Sequence, residues 1–149
     1  MARLLFGLLI VSTALVQATV IPRLNPLPVA PDFVLIFLFA WSGSRSLRES
    51  LFWVFGTGIL LDVLSLDPLG TNALALIEVP LLAGLARQRV LQANILVPMV
   101  LIGIATVIHG LLLGLLRSDL PSLWSILLQS GMHMLLLPAV LLVVRIAHR

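Results

Sequence analysis

The chain has 149 residues, of which 60% are hydrophobic and only 10% are charged, and its mean hydropathy is +1.18. A soluble domain carries roughly 45–50% apolar and about 25% charged residues, so this composition excludes a soluble globular protein and indicates a single membrane domain. The formal charge of +3 comes with arginine as the only basic residue type, and the chain contains no cysteine. The absence of cysteine excludes a disulfide framework, a thiolate metal site and a thiol nucleophile.

Six apolar runs follow one another along the chain and predict an all-α integral membrane protein, a bundle of six transmembrane helices. A spanning helix needs about 20 residues, and five runs are long enough. The second run is short, so its crossing needs the preceding residues or neighbouring helices. The predicted spans are residues 4–21, 31–44, 47–66, 68–86, 95–116 and 123–146.

The first run resembles a secretory signal, because Arg3 precedes an apolar stretch and Ala18 could precede a cleavage site. The run continues to Ile21, however, and the rest of the chain is itself membrane-like, which favours an uncleaved first span. The segment 22–32 then holds four prolines. Proline interrupts a regular helix, so we expect a stiff, partly extended crossover here.

Two helix starts have recognisable caps. Ser46 and Glu49 form a capping box, in which each side chain binds a free backbone N–H of the first turn, and the third span should begin at Leu47. Asp32, directly after Pro31, is expected to cap the second span on the outer side.

The turn between the third and fourth spans contains Asp67, Pro68, Gly70 and Asn72. Asp67 followed by Pro68 predicts a helix cap with proline at the first helical position. Gly70 would permit close approach of the backbone, and its flexibility leaves Thr71 as an alternative helix start. These residues are structural or partner-binding candidates.

The arginines predict the orientation, because cytoplasmic loops are enriched in basic residues. With the N-terminus inside, seven arginines lie at cytoplasmic ends and two at outer ends, and both termini are cytoplasmic. The arginines sit at the ends of apolar runs, which also argues against nucleic-acid binding. The cytoplasmic set is Arg3, Arg45, Arg48, Arg87, Arg89, Arg145 and Arg149, and the outer set is Arg23 and Arg117.

Asp62 lies near the outer end of the third span, and acids in membrane helices are rare and often functional. One interpretation is that Asp62 binds interfacial water or a backbone donor in the following turn. A second is that it contacts the helix or periplasmic segment of a partner, and a third is substrate or proton binding.

Glu78 and His133 lie near the middle of the fourth and sixth spans. Since an unpaired charge is costly there, we expect them to form a buried polar pair, with Gln129 one turn above His133. A neutral structural hydrogen bond and a proton relay are the two alternatives.

Gly103, Gly110 and Gly114 lie on roughly one face of the fifth span, beside His109. Small residues at this spacing let helix backbones pack closely, either within the bundle or against a partner span. No H-E-x-x-H, G-x-S-x-G or P-loop pattern occurs. We therefore predict no enzyme activity, no metal and no cofactor.

In several of these motifs the chain resembles the family of rod shape-determining proteins MreD. The resemblance covers residues 31–90. It is carried by Pro31-Asp32 and the apolar run to Trp41, Arg48-Glu49, Gly58-Ile-Leu-Leu-Asp62, Asp67-Pro68-Leu-Gly70-Thr-Asn72-Ala-Leu, and Arg87-Gln-Arg89.

The resemblance implies a bacterial inner-membrane scaffold of the cell-elongation machinery that supports peptidoglycan synthesis. The implied partners are MreC, the glycosyltransferase RodA with a class B penicillin-binding transpeptidase, MreB indirectly, and membrane lipid. It also implies a bundle similar to the substrate-binding subunits of energy-coupling-factor transporters. The alternatives are such a vitamin-binding subunit, with Glu78, Gln129 and His133 lining an outward cavity, and an intramembrane enzyme or lipid carrier.

Overall fold

The computed structural model describes residues 1–24, 27, 29–91 and 94–147, with the backbone alone for residues 88–91 and 147. Within these ranges the chain forms eight helices and no strand. Pro26, Pro28, Arg149 and the side chain of Arg89 lie outside the described parts. The helices are α1 (Ala2–Thr19), α2 (Ile21–Leu24), α3 (Phe33–Ser42), α4 (Leu47–Ser65), α5 (Thr71–Ala75), α6 (Glu78–Leu91), α7 (Leu96–Arg117) and α8 (Leu123–Ala147).

Three of these helices, α1, α7 and α8, are long and apolar enough to cross a membrane. They coincide with the first, fifth and sixth predicted spans. The prediction of an all-helical membrane protein is therefore confirmed, whereas the number of crossings stays a prediction.

The second predicted span is the centre of the bundle. Its helix, α3, has only 10 residues and is therefore about 15 Å long. It packs against α1, α4, α6 and α8, and most of its side chains are buried. A helix that is apolar on every side is suited to such a position, so α3 is a core helix enclosed by its neighbours.

The fourth predicted span, residues 68–86, is divided into α5 and α6 because of Pro80. Proline has no N–H and clashes with the carbonyl four residues earlier, which here belongs to Leu76. That carbonyl instead accepts from Val79 N at 3.0 Å. The segment 68–86 is thus not one continuous helix, and α5 begins at the alternative start, Thr71.

The proline-rich crossover is partly helical. Ile21–Leu24 forms the single turn α2, with Pro22 in a first turn, where a missing N–H is tolerated. The expectation of no regular helix in the segment 22–32 is therefore wrong for its first three residues, 22–24.

The capping box at the start of α4 is half formed. Ser46 Oγ accepts from Glu49 N at 3.3 Å, as predicted. The Glu49 carboxylate instead pairs with Arg3, whose Nε and Nη2 each lie 3.1 Å from a carboxylate oxygen. This pair fixes the start of α1 beside the start of α4.

Polar contacts also establish which helix ends meet. At the end of α1 opposite Arg3, Gln17 binds Asp32 at the start of α3. At the far end of α4, Asp67 binds Arg117 at the end of α7. Successive long segments therefore run in opposite directions. We call the end with Arg3, Arg87 and Arg145 the arginine-rich end, and the end with Asp32, Asp62 and Asp67 the acidic end.

Candidate functional site

Asp62 organises the turn between α4 and α5, which we call the Asp62 turn (residues 62–72). Its side chain is fully buried. One carboxylate oxygen accepts from Gly70 N at 2.6 Å, and the other accepts from Asn72 N and Asn72 Nδ2, both at 2.8 Å. This is the backbone-donor interpretation, in which the following turn satisfies Asp62. Because the carboxylate is enclosed and bound by this turn, the structure favours this interpretation over a contact between Asp62 and a partner.

Asp67 connects the Asp62 turn to α7. Its Oδ2 accepts from Asn72 Nδ2 at 3.2 Å and from Arg117 Nη2. The sequence predicts that Asp67 caps a helix starting at Pro68, but α5 starts three residues after that proline, and its N-cap is Gly70. Asp67 is therefore a bridge between two helix ends and not a cap.

Gly70 has a backbone φ of +98°, a conformation that glycine adopts without steric cost. A Cβ built at this position meets nothing within 4 Å. The glycine is thus required by its dihedral angle and not, as the sequence suggests, by close backbone approach. Pro68 contributes its carbonyl, which accepts from Thr71 N and Oγ1 at 3.2 and 2.8 Å.

A second cluster, the His133 network, consists of Gln17, Asp32, Thr106, His109 and His133. Asp32 caps α3 as predicted, since its Oδ1 accepts from Leu35 N at 2.9 Å. The same oxygen accepts from Gln17 Nε2 at 2.8 Å, and Oδ2 lies 3.6 Å from His109 Nε2. Asp32 therefore holds α1 and α7 against the start of the central helix.

His133 is completely buried, and both of its ring nitrogens are occupied. Nε2 accepts from Asp32 N at 2.8 Å, so it carries no proton. Nδ1 lies 2.7 Å from Thr106 Oγ1, and the hydroxyl proton of Thr106 is donated to Ile102 O at 2.8 Å. A neutral ring protonated at Nδ1 satisfies all of these groups at once, which makes His133 a structural connector of α3, α7 and α8.

The predicted pair of Glu78 and His133 does not form, since His133 has the partners just described. Glu78 is 7% exposed, and its carboxylate oxygens have no hydrogen-bond partner of ordinary geometry among the described residues. Glu78 lies in the first turn of α6, where the backbone N–H groups of a helix start have no partner within the helix and attract negative charge. Gln129, the third member of the predicted group, donates to Ala30 O at 3.0 Å.

Replacing Glu78 with methionine should therefore leave the fold intact. Exchanging an unpaired buried polar group for an apolar one of similar length removes a desolvation cost of about 1–3 kcal/mol. We expect the melting temperature in detergent to stay the same or rise, with Glu78→Gln close to wild type. A clear fall for both variants would mean that the carboxylate has a stabilising partner.

Three residues of this region are not anticipated by the sequence as functional or structural partners: Gln17, Thr106 and Ala75. The carbonyl of Ala75 lies beside the interruption between α5 and α6 and is 3.1 Å from His109 Nδ1. His109 thus provides a donor at the place where the helix is interrupted. Pro80 marks the interruption in the sequence, but His109, which binds the Ala75 carbonyl, lies 34 residues further along the chain.

The glycines of α7 pack against α8 and the loop before it. A Cβ on Gly103 would lie 2.9 Å from Met134 Sδ, and one on Gly114 would lie 2.8 Å from Pro121 Cδ. Gly110 faces Ile126 at an ordinary contact distance of 3.5 Å. Of the two alternatives for these glycines, the structure favours packing within the bundle.

A cavity of about 430 Å³ opens beside the His133 network at the acidic end, and its polar lining includes Gln17, Asp32 and Gln129. Of the three residues expected to line an outward cavity, only Gln129 does so. In the described part of the chain, no three His, Asp or Glu side chains are grouped to hold a metal ion. The polar side chains mostly bind one another or the backbone, so they join helices together.

These features define an all-helical membrane protein in which buried polar groups join helix ends. The chain belongs to the family of rod shape-determining proteins MreD, whose family model matches residues 1–147. The match confirms the resemblance inferred from residues 31–90 and extends it over essentially the whole chain. Membership assigns the protein to cell-shape determination, in a family of structural proteins.

No curated protein and no solved structure gives a significant match to the chain. The similarity to transporter subunits therefore stays a prediction, and the vitamin-transporter alternative has no support.

Proposed function

We propose that the chain is a non-enzymatic scaffold of the cell-elongation complex in the bacterial cytoplasmic membrane. It would bind MreC and orient it so that RodA and the class B transpeptidase synthesise peptidoglycan, with MreB coupled indirectly. The observation that carries the proposal is the family match over residues 1–147. The buried polar groups support the proposal, because they stabilise a fixed arrangement of helices, and a scaffold requires such an arrangement.

We further propose six membrane crossings with both termini in the cytoplasm. The alternation of helix directions and the separation of arginine-rich and acidic ends support this topology, because positive residues concentrate on the cytoplasmic side. The chain has no native cysteine, so single introduced cysteines report accessibility without background. Labelling of the two chain ends from opposite sides of the membrane would contradict the topology.

The outward face of α4 is the candidate surface for MreC. Gly56 lies in the middle of this helix, and a Cβ there meets nothing within 4 Å. The large side chains Phe52, Phe55, Ile59 and Val63 are exposed along the same helix. Their spacing places them on one face with Gly56, and a glycine between large side chains forms a depression that a partner helix can fill.

Replacing Gly56 with leucine should abolish or strongly reduce retention of MreC while leaving the bundle folded. The Cβ of the leucine meets no other group of the chain within 4 Å, and the rest of the side chain would fill the depression. Loss of a well-packed helix contact of about 1–3 kcal/mol lowers affinity roughly 5- to 150-fold. The measurement is co-purification of MreC from membranes in mild detergent, together with the cell shape of a strain carrying only the variant.

Gly84→Leu is the matched control, because Gly84 is also an exposed helical glycine, and a Cβ at its position meets nothing within 4 Å. It lies on α6 and should retain MreC. Equal retention by the two variants would show that α4 is not the contact surface. Loss of MreC from the wild-type complex under the same conditions would contradict the scaffold function itself.

A further inference from the structure

A second cavity lies at the arginine-rich end of the bundle, between α3, α6, α7 and α8. Its volume is about 500 Å³. Most of its wall is apolar, with Ile95, Pro98, Leu141 and Leu142 among the lining residues. Arg87 and Arg145 also belong to the lining, and both are exposed at the surface. We call it the arginine cleft.

Two prolines lie in the wall of the arginine cleft. Pro138 lies inside α8, where it removes a backbone hydrogen bond and prevents close contact with the preceding turn. Pro98 lies in the first turn of α7, a position that accepts proline. Both are built into helices, so the cleft is a feature of the folded bundle.

The two arginines are available to an anionic ligand. Arg87 and Arg145 are both exposed, and neither forms an ion pair with another described residue. Other basic side chains are already engaged within the protein, since Arg3 pairs with Glu49 and Arg117 with Asp67. Guanidinium groups bind phosphate through paired, charge-assisted hydrogen bonds.

The apolar wall indicates that the ligand carries a hydrocarbon chain and is not a free phosphate. Pro138 precedes Arg145 by seven residues on α8, which places it about 10 Å deeper along the helix. A ligand that fills the cleft therefore needs a phosphate at the opening and a hydrocarbon chain of at least this length.

We propose that the arginine cleft binds one anionic membrane lipid, with its headgroup phosphate between Arg87 and Arg145 and an acyl chain along Leu141 and Leu142. The lipid comes from the leaflet at the arginine-rich end. This site is independent of the α4 surface and of MreC binding.

The experiment counts lipids that stay bound to the purified full-length protein, using native mass spectrometry and titration with phosphatidylglycerol. We expect one tightly bound phosphatidylglycerol, and weaker retention of phosphatidylcholine. Arg87→Gln and Arg145→Gln should each weaken binding about tenfold, the effect of losing one charge-assisted contact. Arg48→Gln, which removes an exposed arginine that does not line the cleft, should bind as wild type does.

Three outcomes would overturn the proposal. One is equal lipid retention by Arg87→Gln, Arg145→Gln and Arg48→Gln when all three melt at the wild-type temperature. Another is displacement of the lipid by millimolar inorganic phosphate, which would mean that the headgroup alone is recognised. The third is a protein adduct instead of a lipid adduct when a photo-reactive residue replaces Leu142 in cells, which would assign the cleft to a partner helix.

Discussion

Replacing Asp62 with alanine is expected to destabilise the protein severely. The substitution leaves Gly70 N and Asn72 N without their acceptor. It also removes one of the two acceptors of Asn72 Nδ2, which keeps its bond to Asp67. Each buried donor left unpaired costs about 1–3 kcal/mol, so the two backbone donors alone account for an expected loss of about 2–6 kcal/mol. The total stability of a domain is about 5–15 kcal/mol, and the variant should therefore be depleted from membranes.

The melting temperature in detergent and the amount of protein in the membrane measure this effect. Asp62→Asn should fall between alanine and wild type, because its amide oxygen still accepts while its NH₂ group faces donors. Asp119→Ala is the matched control, since it removes an exposed acid from the loop after α7, and its melting temperature should not change. A stable Asp62→Ala protein would mean that the Asp62 turn contributes little to folding.

The Asp62 turn can be anticipated from the sequence because its contacts are local. An acid near a helix end, followed within ten residues by glycine and asparagine, is visible in the sequence and marks these residues as candidates. The roles of these residues are harder to predict from the sequence. Asp67 followed by proline resembles a helix cap, but the arginine that binds it lies 50 residues away.

The His133 network cannot be predicted in the same way, because its contacts join distant segments. His133 binds Asp32 across 101 residues and Thr106 across 27. The expected pair with Glu78 rests on similar depth in the membrane. Depth fixes the position of a side chain along a helix, but not the direction in which it points, and packing turns His133 towards α3 and α7 instead.

The bounds of a helix are predicted best where hydropathy alone determines them. The runs that form α1, α7 and α8 fold as single long helices, even though α8 contains Pro138, whereas the fourth run is divided shortly before Pro80. Hydropathy does not register a missing N–H, so it does not predict the division into α5 and α6. Similarly, the apolar run of α3 indicates burial without distinguishing lipid from surrounding helices.

The contact between α4 and α5 depends on one glycine. A Cβ built on Gly58 would lie 2.3 Å from Ala73 Cα and 2.5 Å from Ala73 N. These are backbone atoms of α5, so no side-chain rotation can relieve the contact. Gly58 also lies one turn before Asp62 on α4, and a displaced α5 would carry Asn72 away from that carboxylate.

Gly58→Ala should therefore destabilise the protein by about 3 kcal/mol or more, at the upper end of the range for overpacked interiors. Gly84→Ala is the matched control, because its added methyl group meets nothing within 4 Å, and alanine stabilises a helix by about 0.5–1 kcal/mol relative to glycine. The two melting temperatures should shift in opposite directions. Combining Gly58→Ala with Ala73→Gly should give no rescue, since the clash with the backbone remains. A rescued double variant would show that the contact is with the Ala73 side chain instead.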